Sequence, residues 1–540
     1  MKMKTDEELG HDRRVEFETD DEENEAETVA DSDEVDDDDD DDTECSKTSS
    51  SNKSDQSDDG LGNYVSSWPQ SYRQSMDMLT TVAPPNMNYL ASPRLARLGS
   101  SFFSSQQNQP LIPEFDTSLN NPLIDKDRST HSSHLENQSF QKNSSFRSQQ
   151  CSYAQAVLNG VNILCGVGLL ATPYAIKEGG WLGLSVLFIF GIISCYTGVL
   201  LKQCLDSTPG LQTYPDIGQA AFGTVGRLFI SVCLYIELYS SCVEYIILMS
   251  DNLSSLFPNA HVNVAGLHMN SQRAFAVATT IAVLPTVWLR DLGFLSYLSA
   301  GGVIASLLVV FCLLWVGVVD QVGFHPVGTA LDITNIPVAI GLYAFCYAGH
   351  AVFPNIYSSM RNKAEFPSVL MVSFAICWAI YTGVGVLGFL MFGESIESQF
   401  TLNLPHQFVA SKIGVWTTVV NPLTKYALTI TPVALSLEEL LPSHNARSHF
   451  TSVAIRTALV LSTLVVALSV PFFGFLMALI GSFLSMTVAL IFPCASYLKI
   501  MRGRATRLQV TACALIIMVG VVCSCFGSYS AIKRIADSMG

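Results

Sequence analysis

The chain lacks the ingredients of most soluble machinery. No Gly-rich phosphate loop, no Cys/His set at metal-ligand spacing and no nucleophile elbow occurs in its 540 residues. These absences argue against nucleotide-driven pumping, metal chemistry and hydrolysis, so no enzymatic activity, cofactor or metal is expected. Charge is scarce as well. Residues 151–540 hold 15 acidic and 17 basic side chains in 390 positions, where a soluble body would carry about a quarter charged residues. That scarcity excludes a nucleic-acid binder and points to a bilayer as solvent. The first residues are charged and have no apolar core, so no cleavable signal peptide is expected. The 14 cysteines suggest no disulfide framework. Most lie in apolar segments, where they act as small hydrophobes.

Acidity is confined to one end. Residues 1–60 carry 26 Asp and Glu against 6 Lys and Arg, and residues 61–150 carry 6 against 7. Asp36 to Asp42 is an unbroken run. Such a composition buries too little apolar surface to fold alone. Residues 1–150 are therefore expected to be a disordered, Ser-rich cytosolic tail that transport itself does not need. Its expected partners are kinases, acting on serines such as Ser32 and Ser54, or sorting factors; a solvated tail without a partner is the alternative.

Eleven hydrophobic stretches follow, at about 153–177, 181–203, 225–250, 273–289, 294–319, 334–358, 366–392, 413–440, 450–470, 471–500 and 508–532. Crossing a bilayer takes roughly 20 apolar residues, so each is a candidate transmembrane helix. The Lys/Arg bias of the short loops puts the N-terminal tail on the cytosolic side. Arg456, near the start of the ninth stretch, is expected to snorkel.

Two stretches are interrupted. In SYAQAVLNGVNILCGVGLLATPYAIKEGGW, from Ser152 to Trp181, Gly166 and Gly168 lie mid-span and Pro173 follows. The sixth stretch, IPVAIGLYAFCYAGHAVFPNIYSSM, is broken by Gly341, Gly349 and Pro354. A broken helix is tolerated in a membrane only where its freed backbone lines a cavity. A first helix broken in each of two five-span blocks is the pointer to an inverted-repeat secondary transporter. The expected fold is all-α: repeat one over 153–319, repeat two over 334–500, and an extra helix at 508–532.

SYAQAVLNGVNILCGVGLLATPYAIKEGGWLGL resembles the first span of the amino acid/auxin permease family, above all its vacuolar and vesicular inhibitory amino-acid transporter branches. YAFCYAGHAVFPNIYSSM resembles the family's sixth span, and the acidic tail resembles that of the plant vacuolar members. The resemblance covers residues 151–540. It implies an eleven-span LeuT-like fold moving amino acids, with protons as the coupling ion and the vacuolar membrane as location; the plasma membrane is the alternative.

A free amino acid presents a carboxylate and an ammonium. Exposed N–H groups around Gly166, Val167, Gly168 and Leu169 suit the carboxylate. Free carbonyls near Cys165, Phe345 and Cys346 suit the ammonium, and Tyr343, Phe345 and Tyr347 are expected to shape the side-chain pocket. Ionisable residues inside spans are costly and mark function. Glu237 and Glu244 lie two helical turns apart in the third span, Lys425 lies in the eighth, and His350 lies beside the sixth-span break. These are the candidates for proton coupling. In LeuT-like folds the eighth span packs against the first break, so the resemblance implies that a lysine ammonium there stands in for sodium. The alternative for Lys425 is a structural ion pair with a third-span carboxylate. Two functions fit: a proton-coupled transporter of neutral amino acids, and an amino-acid sensor signalling through its tail.

Overall fold

The computed structural model describes residues 68–73, 75 and 76. From Cys151 to Met539 it describes all but 261, 265–266, 290–300, 321, 326–327 and 442–448. Everything described belongs to the unit of residues 59–540; Ser32 and Ser54 lie outside the described residues.

The first span is built in two pieces. Helix α1 (Tyr153–Leu164) opens on a capping box, in which the Gln155 amide donates to Ser152 Oγ and the Ser152 amide to Gln155 Oε1. It stops where the glycines begin: the Gly166 amide turns back to the Leu164 carbonyl at 2.7 Å. Helix α2 (Gly168–Gly179) resumes at an angle of 52°. Pro173 has no N–H for the carbonyl four residues back. Thr172 Oγ1 takes its place, donating to the Leu169 carbonyl at 2.9 Å.

Helices α3 (Gly183–Ser207) and α4 (Tyr214–Leu256) follow. The start of α4 kinks at Gly223, whose φ of 68° favours glycine. A short two-stranded antiparallel hairpin, β1 (Val262–Val264) and β2 (Leu267–Met269), comes next, in a body that is otherwise helical as expected. Then come α5 (Ser271–Trp288), α6 (Gly302–Val318) and the second broken span, α7 (Ile336–Cys346) and α8 (Phe353–Ser359). The last are α9 (Phe366–Phe392), α10 (Val409–Glu439), α11 (His449–Ser469), α12 (Phe473–Ile500) and α13 (Arg507–Met539). Within α12, residues Gly481–Ile491 are wound as a π-helix.

Each of the eleven expected stretches carries helix. Among the described residues, though, six helices are long and apolar enough to cross a membrane, or seven with the bent α1–α2 pair as one span. Length and apolarity therefore do not reach the expected eleven: α6 and α7 are apolar but short.

The two broken spans occupy the centre. Helix α2 packs against α7 and α9, while α10 packs against α4 and α6. The outside is apolar, with Ile304, Val465 and Phe526 well exposed, as suits a surface solvated by lipid. The tail contributes to the interior too. Trp68, Tyr72 and Met76, inside the stretch expected to be disordered, are buried.

Arg456 does not snorkel. It is 8% exposed; its Nε donates to Glu438 Oε1 at 3.2 Å and its Nη1 to the Val287 carbonyl at 3.0 Å. Removing one partner of a buried pair costs roughly 3–5 kcal/mol, mostly by stranding the other charge. Arg456→Ala is therefore expected to lower the thermal midpoint of the purified protein by several degrees. Arg456→Met combined with Glu438→Met is expected to recover most of that loss. A thermal-unfolding series in detergent checks it, and a single variant as stable as wild type counts against the pair.

Candidate functional site

The two breaks lie against each other. A Cβ added at Gly168 would sit 3.2 Å from both Cα and Sγ of Cys346, tighter than an ordinary contact, so the missing side chain favours this close approach. Cys346 Sγ donates to the Gly168 carbonyl at 3.7 Å. Tyr381, on α9, fastens the two breaks together. Its hydroxyl lies within hydrogen-bond distance of the Leu164 carbonyl in the first break and of the Cys346 carbonyl, at 3.0 Å, in the second. Ser306, on α6, donates to the Cys165 carbonyl at 3.1 Å. The carbonyls expected to be free thus each accept one bond already, since that of Phe345 takes the Ala348 amide. Each keeps a second lone pair. On the donor side, the Leu169 amide is spent on Gly166, whereas those of Val167 and Gly168 make no backbone bond among the described residues.

Beside the breaks lies a cavity of about 140 Å³. By the roughly 30 Å³ that a water occupies, that is room for a handful of waters or one small solute. The first break contributes Gly166, Val167 and Gly168 to its wall, and α7 contributes Phe345. Helix α4 contributes Glu237 and Glu244, and α10 contributes Lys425. Seven of the residues singled out in the sequence therefore meet around one space. Much of the remaining wall is apolar, with Ile163, Leu238, Val352 and Leu428.

The charged groups in this wall do not pair. Among the described residues no ion pair within 4.0 Å joins Lys425 to either glutamate. Lys425 Nζ donates to Asn162 Oδ1 at 3.5 Å. Ser485, presented by the π-helical turn of α12, donates to Glu237 Oε1 at 3.2 Å. Both carboxyl oxygens of Glu244 are buried without a hydrogen-bond partner among the described residues. A buried unpaired carboxylate is costly, and two things relieve it: a proton, or the ammonium of an arriving ligand.

The other expected residues face elsewhere. Leu169, Tyr343, Cys346, Tyr347 and His350 do not line the cavity. The Tyr343 ring lies on Gly183 of α3, and Tyr347 stacks on Phe374 at 5.6 Å. His350 Nε2 lies 2.9 Å from Thr197 Oγ1 and 3.1 Å from the Ser194 carbonyl, tied to α3. For Leu169, Tyr343 and Cys346 the helical turn decides this, since residues one or two positions apart point to different sides; Tyr347 and His350 lie in the break itself. Asn162, Gly302 and Tyr381 escaped the sequence reading. Gly302 makes room for the lysine head, since a Cβ there would lie 2.9 Å from Lys425 Nζ. No signal distinguishes such a residue in an apolar run. Asn162 alone carries one, as an amide in the middle of a span.

A helical body with a broken, cavity-lining first span and unpaired charges inside it is the architecture of a membrane carrier. Residues 149–533 match the family described as transmembrane amino acid transporter protein, and the chain belongs to that family. The amino acid transporter AVT1D of Arabidopsis thaliana is 53% identical over 99% of this chain and 100% of its own length. AVT1B of the same plant is 56% identical over 88% and 90%, and the vesicular GABA transporter of Caenorhabditis elegans is 30% identical over 65% and 74%. Among solved structures, a Na+-coupled sialic acid symporter aligns over 71% of this chain and 89% of its own, at 11% identity and a TM-score of 0.42. The family read from the two broken-span motifs is thus borne out. Its members are transporters rather than enzymes, which does not favour the sensor reading.

The glycines separate contact from space. A Cβ at Gly166 meets nothing closer than 3.8 Å, whereas at Gly168 it presses on the Cys346 backbone. Gly168→Ala is expected to destabilise the purified protein by about 1–3 kcal/mol, as overpacking does, while Gly166→Ala stays near wild type. Thermal midpoints of the two variants measured side by side check this; equal values would mean that the breaks do not touch.

Proposed function

We propose that the chain is a secondary active transporter of neutral amino acids, coupled to the proton gradient across the vacuolar membrane, with its N-terminal tail in the cytosol. The observation that carries this reading is the set of unpaired ionisable groups, Lys425, Glu237 and Glu244, around a small cavity at the first break. A zwitterion needs one acceptor region and one donor region. The amides of Val167 and Gly168 at the start of α2 serve the substrate carboxylate. Carboxyl and carbonyl oxygens around the cavity serve its ammonium. The apolar remainder of the wall supports small neutral side chains over charged ones. The names of the relatives, amino acid transporters and a vesicular GABA transporter, support the substrate class.

Coupling follows from the same groups. Among the described residues Lys425 makes one long hydrogen bond and no ion pair, an arrangement that suits a group whose charge follows substrate and pH. A lysine that gains and loses a proton in each cycle ties substrate movement to the gradient. Glu244 and Glu237 are the alternative carriers of that proton. The architecture that suits this cycle is a LeuT-like pair of inverted repeats, 153–319 and 334–500, with α13 outside them.

The test is uptake of radiolabelled neutral amino acids into proteoliposomes, with and without a pH gradient, at matched protein amounts. Lys425→Ala is expected to permit exchange while losing acceleration by the gradient. Lys425→Arg is expected to do the same, because a guanidinium does not release its proton. Gradient-driven uptake that survives Lys425→Arg would falsify the lysine's coupling role and move it to the glutamates. Gly166→Leu, which drives a side chain toward the cavity, is expected to abolish uptake without lowering the amount of inserted protein. Normal uptake by that variant would put the substrate elsewhere.

A further inference from the structure

The segment from Trp68 to Met76 lies more than seventy residues before the first membrane helix, in polar sequence, yet Trp68, Pro69, Tyr72, Ser75 and Met76 are buried. Its apolar residues recur every fourth position: Trp68, Tyr72 and Met76 are 9%, 1% and 0% exposed. They enter the helical body at one end. Trp68 Nε1 donates to the Ser436 carbonyl near the end of α10 at 3.0 Å, and Arg227 of α4 donates back to the Trp68 carbonyl at 2.9 Å. The amides of Gln70 and Ser71 donate to the two carboxylate oxygens of Glu439, at 3.0 and 2.6 Å. Charge-assisted bonds of this kind are stronger than neutral ones. Tyr72 reaches furthest inward, and its hydroxyl donates to the Ala351 carbonyl at 3.0 Å. Asn355, at the start of α8, donates to the Arg73 carbonyl at 3.3 Å.

Two of these contacts connect the segment to the cavity. Ala351, which accepts from Tyr72, also lines the cavity. Tyr235, which meets Trp68 at 5.4 Å and Tyr72 at 6.2 Å between ring centroids, lies two residues before the cavity residue Glu237 on α4. The aromatic group of Trp68, Tyr235 and Tyr72 thus stands between the cavity and the end of the bundle from which the tail enters. Its wall is made of α4, α8 and α10. The second broken span and α10 both line the cavity, so the segment ties together elements that a carrier must move apart to open on that side.

We propose that the segment from Trp68 to Met76 is a plug: a piece of the chain's own tail that docks between α4, α8 and α10 and closes the route from the tail side to the cavity. The proposal rests on reading the cavity as the substrate site. Opening on that side requires the plug to leave, so docking lowers the fraction of carriers able to complete a cycle. The plug is a brake on transport, and whatever withdraws the tail releases it.

The test uses the full chain and reads docking and flux separately. Ser75 is 1% exposed, so the thiol introduced by Ser75→Cys reports on docking. In the otherwise unaltered chain it is expected to react slowly with a water-soluble maleimide, measured against the background of the native cysteines. Trp68→Ala with Tyr72→Ala is expected to speed that labelling and to raise the initial rate of amino-acid uptake several-fold at equal protein. Glu439→Ala, which alters the dock and leaves the tail sequence intact, is expected to do both more weakly. Rapid labelling in the unaltered background would overturn docking. Slow labelling with uptake unchanged by all release variants would overturn the brake. Wild-type uptake in the same vesicles is the separate readout of the transport reading, whose failure leaves the labelling result to decide docking on its own.

Discussion

A polypeptide inside a bilayer has no water to satisfy its backbone, so a helix interrupted in mid-membrane must find partners within the protein. That constraint governs this structure. The first span breaks at Gly166–Gly168 and the second broken span between Cys346 and Phe353, and each break lies against the other. Tyr381 bridges a carbonyl of one and a carbonyl of the other, Cys346 donates to Gly168, and Ser306 caps Cys165. The amides of Val167 and Gly168 make no backbone bond among the described residues, and both residues line the cavity. The breaks are therefore costly features that the surrounding helices support only in part, and the unsupported part is where a ligand has something to gain.

The same logic extends to side chains. Arg456 is buried and pairs with the half-buried Glu438, which makes them architecture. Lys425, Glu237 and Glu244 lie inside the bundle around a space and do not pair with one another. The contrast between an ion-paired charge and one with no ion pair among the described residues separates the structural ionisable residues from the functional candidates. His350 lies between the two, since α3 holds its Nε2 from Ser194 and Thr197 while its buried Nδ1 has no partner among the described residues. The π-helical turn of α12 and the glycine at position 302 make the arrangement possible, one by aiming Ser485 at Glu237 and the other by leaving space for the lysine head.

The tail shows how a segment of polar sequence acquires structure from its surroundings. Isolated, the stretch around Trp68 has too few apolar residues to fold. Trp68 and Tyr72 pack on Tyr235 of α4, Met76 is buried, and Glu439 supplies the acceptors for the amides of Gln70 and Ser71.

By itself the sequence determined where the membrane body begins, that its first and sixth stretches are interrupted, and which ionisable residues sit inside spans. Each of these is a local property: charge density, glycine and proline within an apolar run, a lysine or glutamate where lipid forbids it. The family was equally legible, because the two interrupted motifs are specific. The tertiary structure alone decided which candidates share a cavity. Tyr343 lies nearly as close in sequence to the second break as Phe345 does, and Tyr347 and His350 lie within it, yet their contacts are with α3 and α9. Tyr381, Gly302 and the plug were beyond the reach of sequence because their roles exist only across contacts between distant segments. A tyrosine, a glycine or a tryptophan carries no mark of the carbonyl, the ammonium or the groove that it will meet after folding.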